Sequence, residues 1–305
     1  MRKRKLGFTF LSLGMLLVLL IYARPAPWFL IWATGNGKGC GLRACMEEIG
    51  PRIVEESERI RRASAVVQRE ADGFELHRTP AGLFWSPTGN ALYFNLGEME
   101  LEVYGSGESA VKSGDVVFDC GANVGTFARQ ALRYGAAKVV AFDIDPRNNE
   151  CLRRNFLEEI KRGRVVVIAK GVWSDEREVE VKLYRNSNLN TAMMPDRPET
   201  TEQPRVARLP VTSIDRVVEE LGLERVDFLK MDVEGAEVEA LRGARKTLQR
   251  WRPRLSVATE NLADDIDRIP GTVKGIVPEY RFRPGPCRRV RRFMIRPEVV
   301  YGWVE

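Results

Sequence analysis

An α/β fold with a largely parallel sheet covered on both faces is the class that residues 112–305 predict. Three observations carry it. Apolar strand-like runs alternate with helix-like segments from Asp115 onward. The runs are nearly continuous in Val, Ile, Leu and Phe, as strands buried on both faces are. Two successive runs end in an aspartate followed by a turn, where ligands sit in a doubly wound sheet.

The elements follow in order. Asp115–Asp119 is a buried-type strand, Gly121–Gly125 a glycine-containing turn, and Thr126–Tyr134 a helix. Lys138–Asp143 is the second strand, and Pro146 opens a helix that runs to Glu159. Arg164–Ala169 and Val226–Met231 are the third and fourth strands. A helix over Ala236–Arg250 precedes a fifth strand, Leu255–Thr259. In the tail, Tyr280–Arg283, Arg289–Ile295 and Val299–Val304 supply the last two strands as a hairpin.

Upstream the pattern changes. Residues 1–39 read as a membrane anchor and linker. Leu6–Ala23 is an uncharged run behind the basic cluster Arg2–Lys5, and as a helix it is about 27 Å long, enough to cross a thin bilayer. A cleaved signal peptide is the rival reading. The positive-inside rule places the rest of the chain across the membrane. A re-entrant Trp28–Ala33 segment after Pro25 and Pro27 would instead return the chain to the cytoplasmic side, which is the side favoured. Residues 40–111 read as a helix over Met46–Ala71, broken early by Pro51, and a β-rich subdomain with strands at Phe74–His77, Gly82–Trp85, Ala91–Asn95 and Met99–Tyr104.

Composition excludes several classes. The 305 residues are 44% apolar and 30% charged, so a sizeable core forms and global disorder is ruled out. The net charge is +6, and four of the positive residues sit in the first five positions, so the total does not point to nucleic acid. One histidine, His77, excludes a multi-His metal site and reads as a residue of the N-terminal region. The five cysteines are too scattered for a disulfide-stapled scaffold; Cys40 and Cys45 are open to lipidation or pairing, with unused thiols the reading taken. The arginines from Arg281 to Arg292 read as a solvated strand face, or else as a contact for anionic lipid head groups.

Chemistry belongs at the strand ends. Gly121 and Gly125 let the backbone approach a ligand, and Asp119 is placed to accept from an ammonium. Asp143 ends the next strand, the position that takes ribose hydroxyls in nucleoside sites. An acid at each of two adjacent strand ends matches a cationic amino-acid tail and a ribose, which S-adenosylmethionine carries together. A nicotinamide dinucleotide is the alternative, but its Gly-x-Gly-x-x-Gly turn is absent here. The plain structural alternative is a glycine turn with Asp119 as a helix cap.

Three blocks resemble the FkbM family of S-adenosylmethionine-dependent methyltransferases. They are Gly114–Gly125 (with Asn123 in its turn), Val140–Pro146 continuing to Asn155, and Val226–Glu237 with Leu241, Gly243 and Ala244 after it. The family commonly has Glu-Pro where this chain has Asp143-Ile144. The resemblance implies a class I methyltransferase fold, a seven-stranded sheet with an antiparallel last strand. It also implies methyl transfer to a hydroxyl of a sugar, glycan, lipid-linked or secondary-metabolite acceptor.

Lys230, Asp232 and Glu234 alternate along the end of the fourth strand and can share a face. Asp232 or Glu234 is the expected general base, and a Lys230–Glu234 ion pair the plainer reading. Asp232, Glu260 and Asn261 are the secondary candidates for a divalent metal. Glu237 reads as a first-turn helix acid. Ser174 and Asp175 are expected at the adenine, with Trp173 either there or in the core. Ser187–Thr191 is a polar loop that the family places near cofactor or acceptor. A nicotinamide-dependent oxidoreductase and a non-catalytic membrane-tethered binding domain are the competing functions.

Overall fold

The computed structural model describes residues 28–35, 37–105, 107–184, 203–262, 264–291 and 294–305. The apolar run Leu6–Ala23 with its basic flank, and the loop Ser187–Thr191, lie outside the described residues. Among the described residues no helix is long and apolar enough to cross a membrane.

Fifteen strands are described. Three form an antiparallel sheet near the N-terminus: β1 (Ala65–Arg69), β2 (Phe74–Thr79) and β3 (Gly82–Pro87). The central sheet takes β4 (Val116–Cys120), β5 (Lys138–Phe142), β6 (Val165–Ile168), β10 (Phe228–Met231), β11 (Arg254–Ala258), β12 (Arg281–Pro284) and β15 (Val299–Trp303), in the order β12-β15-β11-β10-β4-β5-β6. From β6 to β11 all neighbours are parallel, whereas β15 is antiparallel to both β11 and β12. This is the seven-stranded class I methyltransferase-like topology. β7 (Gly171–Val172), β8 (Arg177–Leu183) and β9 (Arg205–Thr212) form a side sheet, and β13 (Cys287–Arg291) and β14 (Met294–Pro297) a hairpin.

Of the five parallel strands, β4, β5, β10 and β11 are buried because both faces carry helices, while β6 at the edge is half-buried. One apolar cluster holds Phe118, Val140, Leu229, Leu241, Leu248, Val257 and Tyr280; the other holds Val117, Val139, Phe127, Leu152 and Phe228. The second also takes in Ile49, Ile53, Met99, Val103 and Tyr104, so the region before residue 112 shares its core with the sheet.

Several local readings are corrected. Pro51 occupies the first turn of a helix, Gly50–Arg62, and starts it, because its missing N–H is one no helix would use there. That helix stops before Val66 and Val67, which belong to β1. Ala91–Asn95 and Met99–Tyr104 are not strands. Leu92–Glu100 is a helix, with Leu92, Leu96 and Met99 buried at helical spacing. The expected helix over Ala236–Arg250 is two, Glu237–Arg242 and Arg245–Trp251. Arg289–Ile295 is split between β13 and β14, an insertion between the paired strands β12 and β15.

The thiol reading is overturned for Cys40, which forms a disulfide with Cys287, and holds for Cys45, a buried free thiol like Cys120 and Cys151. Trp28–Ala33 is a six-residue helix whose Ile31 packs with Cys40, Cys45, Cys287 and Ile295. The described arginines of the basic stretch divide: Arg281 and Arg283 are exposed on β12, as expected of a solvated strand face, whereas Arg288 and Arg289 are held by acids. Arg288 pairs with Glu260 and Glu298, Arg289 with Glu48, and Arg283 donates to Ser109 and lies over the Tyr301 ring.

Candidate active site

A cleft of about 950 Å³, its open mouth included, lies over the carboxyl ends of β4, β5 and β10. One end is walled by Gly171, Val172 and Trp173 with Val179, Val181 and Val211 of the side sheet. Gly121, Asn123, Asp143 and Ile144 lie at the middle. Asn95, Glu98, Met99, Tyr104, Lys230, Asp232 and Glu234 close the other end.

The turn after β4 is shaped by its neighbours. Gly121 has φ +78°, and a Cβ there would lie 1.8 Å from the Asp232 carbonyl oxygen. A Cβ at Gly125 would meet the Phe156 ring at 2.2 Å. Both glycines therefore serve protein packing, and Gly121 also lines the cleft. Asn123, at φ +52°, accepts from Asn90 Nδ2 at 2.8 Å through its side-chain oxygen, and its backbone N–H donates to Asp143 Oδ2 at 2.8 Å.

Asp143 is fixed from both sides. Its Oδ1 accepts from the Asp145 N–H and from Asn148 Nδ2. Burial, and then the Asp145 carboxylate, push its pKa up to about 7. Asp145 caps the helix Pro146–Asn155 by accepting from the Arg147 N–H.

Asp119 does not reach the cleft. The parallel register sets it beside Lys230 on β10, and the two form an ion pair at 3.2 Å with Asp119 fully buried. Lys230 Nζ also donates to the Gly121 carbonyl at 2.7 Å. Burial opposes this ammonium, but the Asp119 and Asp232 carboxylates outweigh it and hold its pKa above the usual lysine value. The expected Asp119–ligand contact is thus replaced by a structural pair that pins the turn to β10.

Asp232 faces the cleft, and Tyr104 Oη donates to its Oδ2 at 2.6 Å. Burial, reinforced by the Asp232 and Glu98 charges, raises the phenol pKa well above its ordinary value, so Tyr104 remains a donor. Lys230 Nζ lies 5.1 Å from the Tyr104 ring centroid.

Residues 119–297, more than half of the chain, match the Methyltransferase FkbM domain family. The chain belongs to the FkbM methyltransferase family. The methyltransferase sdnD of Sordaria araneosa is 26% identical over 196 residues, 51% of this chain and 76% of that protein. The 31-O-demethyl-FK506 methyltransferase FkbM of Streptomyces tacrolimicus is 31% identical over 160 residues, 44% of this chain and 60% of its own length. The solved methyltransferase FkbM from Methylobacillus flagellatus KT is 18% identical with a TM-score of 0.47; the similarity covers 70% of this chain and about half, 54%, of that one.

In this FkbM-family chain the remaining expected residues divide. Glu234, at φ +54°, lines the cleft with Lys230 and Asp232, so three residues of the signature do share one end of the site. Ser174 and Asp175 are not among the lining residues. Asp175 is exposed and pairs with Arg177, and Trp173 forms that wall instead. Glu260 is held by Arg288, and Asn261 donates to Glu237 Oε1 at 2.9 Å, so neither converges with Asp232. Among the described residues no group of three or more His, Cys, Asp or Glu is placed to hold a metal. Glu237 is indeed in the first turn of its helix, but it is fully buried and accepts from the Val233 N–H. His77 sits in β2 against Tyr93 (Nδ1···Oη 2.8 Å) and takes no part in the cleft.

Sequence reasoning missed Asn95, Glu98, Met99 and Tyr104, which precede the family-matched region. The spacing of Leu92, Leu96 and Met99 at i, i+4 and i+7 is the signal that would have placed the first three on a helix; Tyr104 follows it in a turn. It also missed β8, although Glu178-Val179-Glu180-Val181-Lys182-Leu183 alternates strictly.

Proposed function

We propose that this chain transfers a methyl group from S-adenosylmethionine to a hydroxyl oxygen of a sugar, glycan, lipid-linked or secondary-metabolite acceptor. The observation that carries this reading is the Tyr104–Asp232 pair at one end of a cleft whose middle holds Asp143. The residues suit the donor. Asp143 is at the position for a ribose, Trp173 and the valines form an apolar wall for a base, and the half-buried Asp232 carboxylate stands at the far end. The bound donor supplies an electrophilic methyl on a sulfonium. Asp232 is placed to take the proton that the acceptor hydroxyl gives up, and the Tyr104 hydrogen bond keeps its carboxylate in one orientation. Tyr104, Met99 and Phe127 shield that end from water. The O-methyltransferase name of the Streptomyces tacrolimicus relative supports oxygen as the atom methylated. Family membership favours this donor over a nicotinamide dinucleotide.

Assay of the full-length chain with radiolabelled donor and a panel of methyl glycosides and polyprenyl-linked sugars tests the reading. Labelled methyl ethers are expected, with Asp232→Asn lowering turnover about 100-fold or more. S-adenosylhomocysteine that fails to bind the wild type would sink it.

The basic flank and apolar run Arg2–Ala23 support a membrane anchor. The Cys40–Cys287 disulfide supports an oxidising compartment for the domain, which agrees with the positive-inside rule and revises the cytoplasmic preference. A C-terminal reporter fusion read from both compartments decides it.

A further inference from the structure

The donor assigned above carries a cationic amine at the end of its amino-acid tail. The acid expected to receive it, Asp119, is neutralised by Lys230 and sealed from the cleft. Another acid is available. Glu98 lines the cleft, is only 8% exposed, and its carboxylate makes no hydrogen bond or ion pair among the described residues. A buried carboxylate without a counter-charge is costly. Its surroundings deepen the cost. The Glu298 and Asp232 carboxylates repel its charge, and Arg288 and Lys230, each already engaged by other carboxylates, offset this only in part.

Position agrees with charge. The helix Leu92–Glu100 packs beside the helix Thr126–Arg133 that begins at the β4 turn, with Gln130 Nε2 donating to the Met99 carbonyl at 2.6 Å. With the base at the Trp173 wall and the ribose at Asp143, the tail of the donor runs toward this end. We propose that the Glu98 carboxylate receives the ammonium of the donor's amino-acid tail, in place of the acid at the end of β4. The proposal rests on the donor reading above. Its consequence is that a helix outside the family-matched residues 119–297 completes the donor site.

A binding cycle tests it without an acceptor. Calorimetry on the full-length chain would compare S-adenosylhomocysteine with its deaminated analogue, which has the same nucleoside and carboxylate but no amine. The wild type is expected to prefer the amine-bearing ligand by about tenfold to a hundredfold, as for a hydrogen bond between charged groups. Glu98→Gln should bind both nearly equally, at the affinity the wild type shows for the analogue. Glu98→Asp, which retains the charge, should recover part of the preference and serves if the glutamine variant does not fold. The proposal is overturned if Glu98→Gln keeps the full preference, if it weakens both ligands by the same factor, or if Asp119→Asn alone removes the preference. Failure of the donor reading is distinct: the wild type would then bind neither nucleoside.

Discussion

Lys230 shows how one side chain can be structural and lie at the site together. Its ammonium is buried between the Asp119 carboxylate and the Gly121 carbonyl. Lys230→Met leaves Asp119 as an unpaired buried charge and should cost about 3–5 kcal/mol in urea unfolding. The double variant with Asp119→Leu should recover much of that; equal loss in single and double variants would show the pair to be idle. Other buried acids make stability depend on pH. Burial, then the Asp265 charge, push Glu237 up to about 8, and burial pushes Asp143 to about 7 and Asp265 to about 6. The folded state keeps protons that the unfolded chain releases near pH 4. Their contribution is therefore complete below that value and is lost as pH rises through roughly 6 to 8. The urea midpoint should be lower at about pH 8.5 than at about pH 5.5. Glu237→Gln should flatten the profile, since an amide oxygen can still accept from the Val233 N–H without titrating. A midpoint that rises with pH would show these acids ionised in the folded protein.

The β4 turn is the element on which donor binding depends. Its glycine lies against the Asp232 carbonyl, so the turn and the end of β10 have a single spacing. Gly121→Ala should cost several kcal/mol and abolish S-adenosylhomocysteine binding, because the alanine Cβ collides with backbone and the residue must hold a positive φ. Near-native affinity in calorimetry would mean that the loop can move away. The elements that the sequence reveals plainly are those of this core. Val116–Cys120, Lys138–Phe142 and Phe228–Met231 are mainly apolar, with one charged residue each (Asp119, Lys138 and Lys230), and are flanked by turn residues, so strand formation and burial demand nearly the same residues. Tyr93 and Phe94 favour strand locally, and Gly97 reads as a break between the expected strands Ala91–Asn95 and Met99–Tyr104. Packing against the helix Gly50–Arg62 decided for a helix: Gly97 lets the two backbones approach, and a Cβ there would lie 3.0 Å from the Ile53 carbonyl.

At the scale of the molecule, the disulfide joins residues 247 apart in sequence and ties the N-terminal segment to the β13–β14 hairpin. Glu48–Arg289 and the Ile49 N–H to Cys287 carbonyl bond, at 2.7 Å, reinforce the same seam. Cys287→Ser should lower stability by about 2–5 kcal/mol, and non-reducing peptide mapping should recover the Cys40 and Cys287 peptides as one species. Equal midpoints for variant and wild type with the bond verified would show that the seam contributes nothing. The sequence by itself determined the parallel core, the antiparallel closing strand through its family resemblance, and the aspartate and signature residues at the strand ends. Periodicity and local turn chemistry act over a few residues, and these features are local. Only the tertiary structure decided that Asp119 faces Lys230 and leaves the cleft to Glu98, that Tyr104 grips Asp232, and that Cys40 finds Cys287. Each of those pairs joins distant parts of the chain, and strand register and helix packing, which no local pattern encodes, set them face to face.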